Sequence, residues 1–140
     1  MKKHRKIVRD KSGGRCWYCG SELPEKGWHI DHVDPVQRMP QGHHYNLDRE
    51  NDSNKVAACA SCNIQKADLS IEGFRKKIEQ FIYSLNSYHT QYVVAKRYGL
   101  IKETDVKVEF WFEREGKHEQ DRTHDRETVQ EHARQTEKQI

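Results

Sequence analysis

The stretch CASCNIQK, residues 59–66, contains two cysteines separated by two residues, and CWYC at residues 16–19 repeats that spacing. Two such pairs offer four thiolates to one ion at tetrahedral angles, the usual geometry of structural Zn²⁺ sites, and leave no coordination position for water. We therefore predict one structural zinc site formed by Cys16, Cys19, Cys59 and Cys62. A redox-active CxxC pair or unrelated thiols are the alternatives.

Length and composition suit a single domain with a modest core. The 140 residues have a mean hydropathy of −1.13, and charged and hydrophobic residues each make up 34%. No stretch approaches the roughly 20 apolar residues that cross a bilayer. The basic start is not followed by the apolar segment of a signal peptide. We expect no membrane role and a cytoplasmic location, where cysteines bind metals more often than they form disulfides.

Charge is unevenly distributed along the chain. Residues 1–15 hold seven Lys/Arg against Asp10 alone, whereas residues 115–140 hold five Lys/Arg against seven Asp/Glu. The first segment predicts a basic N-terminal arm that contacts phosphates, with a disordered, solubilising terminus as the alternative. The last segment predicts a charged, disordered tail, because it has few apolar residues to bury. The candidate DNA-binding residues of the arm are Lys2, Lys3, Arg5, Lys6, Arg9 and Arg15.

The combination of motifs between the cysteine pairs is specific. CxxC at 16–19, IDHVDP at 30–35 and SNKVAACASCNIQK at 53–66 together resemble the zinc-stapled form of the HNH endonuclease family. The resemblance spans roughly residues 14 to 68. It implies an α+β protein with a ββα-metal (His-Me finger) core, in which a two-stranded hairpin and a helix hold one divalent cation.

The same resemblance implies roles for individual residues. His32 would be the general base, Asp31 and Asn63 the ligands of the catalytic cation, and Asn54 the residue that braces the hairpin and orients His32. Asparagine stands at 63 where the family usually has histidine. Because an amide oxygen is a harder ligand than imidazole, we expect Mg²⁺ or Mn²⁺.

The chemistry of phosphodiester hydrolysis fits these residue types. It needs a base to take a proton from water, a cation to hold the phosphate, and basic side chains to hold the backbone. A neutral imidazole near pKa 6.5 suits the first task, and Lys66 with the basic arm would serve the last. The predicted function is metal-dependent cleavage of double-stranded DNA by a monomer or homodimer. A non-catalytic, zinc-stapled nucleic-acid-binding module is the alternative.

Some assignments stay open at this level. Asn46 lies at the usual family distance from His32, whereas Asn54 lies at the usual distance from Cys59; we favour Asn54, because zinc fixes that end and a loop absorbs insertions. Adjacent strand residues point to opposite faces, so Asp31 and His32 would reach one phosphate only if the hairpin is strongly twisted, which we expect, or if the metal lies at its rim. Three further histidines are weaker candidates for the site: His29, His43 and His44.

The rest of the predicted domain, residues 16–114, lies outside the motifs. Residues 34–54 contain prolines, a glycine and many Asn/Asp, which predicts a long loop. Apolar residues at helical spacing predict a helix over 70–86 with Ser70 as N-cap, and a second helix is predicted over 90–98. Alternation over 106–113 predicts a half-buried strand. These elements are expected to pack onto the nuclease core.

Overall fold

The computed structural model describes residues 2–38, 44–45 and 47–116. Its strands are β1 His29–His32, β2 Gln37–Arg38, β3 His44–Tyr45 and β4 Lys55–Ala58. Its helices are α1 Lys3–Asp10, α2 Ala60–Lys66, α3 Ile71–Glu79, α4 Phe81–Tyr88, α5 Thr90–Arg97 and α6 Trp111–Arg114. Short 3₁₀ turns at Leu47–Arg49 and Asp52–Asn54 precede β4. The predicted tail lies outside the described residues from position 117 onward.

The centre of the fold is an antiparallel pair of strands followed by a helix. β1 pairs with β4 so that Asp31 lies opposite Val56 and His32 opposite Lys55. β4 is buried along most of its length, because Val56, Ala57 and Ala58 face the core. Helix α2 begins directly after β4 and packs on β1. This arrangement confirms the predicted ββα core, and the intervening loop also contains the small β2–β3 ladder.

The predicted N-terminal arm is a helix packed on β4, not a disordered terminus. Val8 is buried in the core, and the guanidinium of Arg5 lies over the Trp28 ring at 4.0 Å from its centroid. Arg5 also donates to the carbonyl of Trp28, and Arg9 donates to the carbonyls of Leu23 and Pro24. Both arginines thus help to attach α1 to the segment that leads into β1.

The helices after the core match the predicted positions closely. The predicted helix over 70–86 is divided into α3 and α4 at Gln80, and α5 occupies most of 90–98. Ser70 is the N-cap as predicted, since its hydroxyl accepts a hydrogen bond from the Gly73 amide at 3.1 Å. Of these three helices only α3 joins the core, through Phe74. Helices α4 and α5 contact each other and bury no residue. The expectation that all these elements pack on the nuclease core is therefore wrong for α4 and α5.

The predicted strand over 106–113 is wrong. Residues 101–110 form no regular element, and α6 follows at Trp111–Arg114. Alternation identified the buried residues Phe110 and Phe112, but Val106 is 79% exposed. A strand also needs a neighbouring strand to accept its hydrogen bonds, and the segment pairs with none in the described part of the chain.

The segment instead packs against residues 16–20, which contain the first cysteine pair and are called the first cysteine knuckle. The amides of Trp111 and Phe112 donate to the carbonyls of Tyr18 and Trp17, and the rings of Trp17 and Phe112 stack at 5.6 Å. Gly20 makes this approach possible: its φ is +76°, and a Cβ there would lie 2.6 Å from the Trp111 ring. A side chain at position 20 would therefore push the C-terminal segment away from the knuckle.

No helix among the described residues has the length and apolar character needed to span a membrane.

Candidate functional site

The four predicted zinc ligands converge. The sulfur atoms of Cys16, Cys19, Cys59 and Cys62 all lie within 4.8 Å of one another. The Sγ atoms of Cys19 and Cys59, one from each pair, are 3.8 Å apart. Two sulfurs about 2.3 Å from a tetrahedral zinc ion lie about 3.8 Å apart. The cluster is thus positioned to bind a metal ion, and its thiolate donors suit zinc.

Local hydrogen bonds prepare these thiols for a cation. A hydrogen bond with the Cys62 thiol lowers the pKa of Cys16 to about 5, against the opposing effect of its burial. The same hydrogen bond raises the pKa of Cys62. The amide of Cys62 also donates to the sulfur of Cys59 at 3.4 Å. The hydrogen bond thus favours deprotonation of Cys16, and a bound ion would displace the protons of the other thiols.

The first knuckle is joined directly to the strand pair. The amide of Trp17 donates to the carbonyl of Ala57 in β4 at 2.9 Å. The neighbouring Tyr18 is 1% exposed, and its hydroxyl donates to Oδ2 of Asp31 at 2.5 Å. Burial first, and the Asp31 carboxylate second, raise the pKa of Tyr18 well above its usual value, so this hydroxyl keeps its proton. The cysteine cluster and the carboxylate of β1 are thus one connected unit.

Lys66 is the second partner of Asp31, and its position corrects a prediction. It was expected to contact DNA, but the residue is completely buried. Its ammonium lies 3.1 Å from Oδ2 of Asp31 and donates to the carbonyl of His32 at 2.9 Å. A cation in this position cannot reach a phosphate. Lys66 instead neutralises and orients the carboxylate to which the family resemblance gives a role in metal binding.

Replacing Lys66 by methionine should destabilise the protein by about 3–5 kcal/mol, because it leaves the buried Asp31 carboxylate without its cation. Asp31→Asn in the same chain should restore part of the loss, since the two effects are coupled. Urea denaturation of the single and double variants measures both quantities. Lys76→Met, on the exposed side of α3, is the matched control. If Lys66→Met is as stable as the parent but binds DNA more weakly, Lys66 contacts phosphate after all.

His32 has different partners from Asp31, as the alternation of a strand requires. Its Nε2 lies 2.8 Å from Oε2 of Glu50, and Oε1 of Glu50 lies 2.8 Å from the Lys55 ammonium. The hydrogen bond from Lys55 is the largest influence that lowers the pKa of Glu50. The His32 side chain is 21% exposed. It is therefore oriented by the protein and remains accessible to a solvent molecule.

Asn54 bridges the two loops that flank the strand pair. Its side-chain oxygen accepts from the Asp34 amide at 2.9 Å, and its side-chain nitrogen donates to the carbonyls of Asp34 and Arg49. Its own carbonyl accepts from the amide of Val33 at 3.0 Å. These bonds fix the chain immediately after His32. The rival candidate Asn46 lies outside the described residues.

The other predicted residues are less constrained. Asn63 is half-buried on α2, which packs on β1. Its backbone N–H donates to the Cys59 carbonyl. His29 is exposed at the start of β1, and only the backbone of His44 is described, in β3. His43 lies outside the described residues. Lys2, Lys3, Lys6 and Arg15 are exposed, whereas Arg5 and Arg9 are half-buried with the contacts given above.

Sequence reasoning missed two site residues. Tyr18 lies in the CWYC segment and Glu50 in the loop over 34–54, and neither occupies a position that a motif marks as functional. Their partners lie 13 and 18 positions away, so no local spacing identifies them. The only available signal was their chemical type: a tyrosine between metal-binding cysteines and a carboxylate near a basic residue.

Comparison with known proteins matches one family model to the chain. Residues 16–69 match the model of the HNH endonuclease family, which supports a nuclease-type function. The crystal structure of the Type II-C Cas9 enzyme from Actinomyces naeslundii is similar at a TM-score of 0.42 and 21% identity. That similarity covers 69% of this chain but 10% of that one, so this chain spans a small fraction of its length. No curated protein matches the chain.

Proposed function

We propose that the protein hydrolyses phosphodiester bonds of double-stranded DNA with a divalent cation, and the match of residues 16–69 to the HNH endonuclease family model supports this proposal. The observation that carries the proposal is the pair of oriented side chains at the end of β1. Asp31 is held by Tyr18 and Lys66, and His32 is held by Glu50. A carboxylate and an imidazole fixed next to each other in the chain supply the ligand and the base that this hydrolysis needs.

His32 is the proposed general base. With Nε2 bonded to Glu50, its other ring nitrogen is left to accept a proton from water. Lys66 fixes the backbone on one side of the imidazole by bonding the His32 carbonyl, and Asn54 fixes the residues that follow. Preorganised geometry of this kind lowers the barrier, because little reorganisation is needed when the proton moves.

Asp31 and Asn63 are the proposed ligands of the catalytic cation. Both contacts of the Asp31 carboxylate fall on Oδ2, so Oδ1 is the oxygen that would face the ion. Mg²⁺ or Mn²⁺ bound there would stabilise the charge on the phosphate and on the departing oxygen. Only one ligand is anionic, and Lys66 already offsets its charge. Phosphate and water would therefore complete the coordination shell, as is common for Mg²⁺.

The proposed DNA-binding surface is the exposed part of α1 and the turn after it. Lys2, Lys3 and Lys6 are exposed there, and Arg15 is exposed in front of the first cysteine. Their charge suits contact with the phosphate backbone without sequence readout. Arg15 also donates to the Gly20 carbonyl, but through one guanidinium nitrogen and from an exposed position. Arg5 and Arg9 are left out of the proposal, because they are half-buried and their guanidinium groups bind carbonyls of the protein.

The test is cleavage of supercoiled plasmid by the zinc-loaded protein. We expect nicked or linear product with Mg²⁺ or Mn²⁺ and none without an added divalent cation, because Asp31 and Asn63 alone cannot stabilise the charged transition state. Ligation of the product ends with and without prior phosphatase treatment would show whether they carry 5′ phosphate. Binding to DNA without cleavage under all of these conditions would favour the non-catalytic binding module instead.

A further inference from the structure

We propose that Glu50 is a positioning residue that fixes the tautomer and orientation of His32, a role that rests on the proposed function of His32 as general base. Glu50 belongs to the long loop before β4 and to none of the motifs that identify the domain. Its carboxylate nevertheless makes the 2.8 Å contact with His32 Nε2.

The Glu50 carboxylate is held from two sides, because each of its oxygens has a partner. Oε2 meets His32 and Oε1 meets Lys55, each at 2.8 Å. Lys55 is the direct partner of His32 in the β1–β4 register. The carboxylate therefore spans two side chains that project from the same position of the sheet. The Lys55 side chain is only 18% exposed, so it is a constrained anchor for Glu50.

The chemistry of the contact selects one form of the imidazole. An ionised carboxylate only accepts hydrogen bonds, so a neutral His32 must carry its proton on Nε2. Nδ1 is then unprotonated and able to accept a proton. Without Glu50 the neutral ring would divide between its two tautomers and rotate about its side-chain bonds, and a smaller fraction would be competent as a base.

The charges permit this role beside an anionic substrate. Glu50 alone would repel a phosphate, but the Lys55 ammonium offsets its charge, and Asp52 lies farther from that ammonium, at 3.9 Å. Lys11 in turn donates to the carbonyl of Lys55 at 3.0 Å. Glu50 and Lys55 thus form an ion pair without net charge, and Lys55 belongs to β4.

Kinetics of Glu50 variants test the proposal. Glu50→Ala should reduce kcat by about 10- to 100-fold, the range found when partners that orient metal-binding histidines are removed, with KM for DNA nearly unchanged. Glu50→Gln should restore part of kcat, because its amide oxygen still accepts from Nε2. Glu50 is 44% exposed, so neither variant should unfold the protein. Unchanged or faster cleavage by Glu50→Ala would overturn the proposal.

A second measurement does not depend on cleavage. Long-range ¹H–¹⁵N spectra of the zinc-loaded protein should show His32 protonated on Nε2 in the parent and a mixture of tautomers in Glu50→Ala. Asp52→Asn is the control, because it removes a nearby carboxylate that has no contact with His32. Equal tautomer populations in parent and Glu50→Ala would overturn the proposal. If the parent cuts no DNA, the proposed function fails, and these spectra alone decide whether Glu50 fixes His32.

Discussion

Replacing His32 by alanine should lower the rate of DNA cleavage by about 10²- to 10⁴-fold, the usual contribution of a general base. Affinity for DNA should change little, because a single side chain that is 21% exposed contributes little to phosphate binding. Single-turnover cleavage of plasmid and a separate binding titration measure the two quantities. Loss of cleavage with retained binding is the expected result.

His29→Ala is the matched control for this experiment. His29 lies on the same strand, is exposed, and makes no described side-chain contact. Its removal should leave both cleavage and binding close to those of the parent. If His32→Ala cuts as fast as the parent, or if His29→Ala is the inactive variant, the assignment of the base is wrong.

Replacing Cys59 by serine should abolish tight metal binding and leave the domain largely unfolded. Structural zinc contributes about 10–16 kcal/mol in zinc-finger peptides, whereas whole domains are stable by about 5–15 kcal/mol. The cluster joins two segments that are 39 residues apart in sequence. Elemental analysis and thermal melting followed by circular dichroism would measure the bound zinc and the stability.

Ser61→Ala, between the cysteines of the second pair, is the control for that substitution. Ser61 is exposed on α2, so the change leaves all four ligands in place and should preserve both zinc and melting temperature. A Cys59→Ser protein that melts at the parent temperature would show that the fold does not depend on the ion. Purified parent without tightly bound zinc would contradict the site itself.

The zinc ligands and the first strand were predictable because their signals are local, whereas the ββα arrangement followed from the family resemblance. Each CxxC pair places two ligands by spacing alone, and Trp28, Ile30 and Val33 around HIDH favour a strand. The Ser70 cap was predictable for the same reason, since it involves residues three positions apart. These features require no knowledge of which distant segments meet.

The misassigned and missed residues depend on partners far away in sequence. Alternation predicted that Phe110 and Phe112 are buried, but it contains no information on whether a neighbouring strand exists. Lys66 was read as a surface cation, because one turn of helix does not reveal which face is covered. Its true partner, Asp31, is fixed only when α2 packs on β1. Glu50 contacts His32, which lies 18 positions away in sequence, so this contact too depends on the folded arrangement.

The hydrogen bond from Tyr18 to Asp31 has a practical consequence for inhibition studies. Because Tyr18 stands between two cysteines of the cluster, a strong chelator such as EDTA would remove the thiolate-bound ion and also release the carboxylate of β1. Inactivation by such a reagent would not reveal which of the two proposed ions takes part in the proposed hydrolysis. Exchange of the proposed catalytic ion alone, with the sulfur-bound ion left in place, would distinguish the catalytic role of one ion from the structural role of the other.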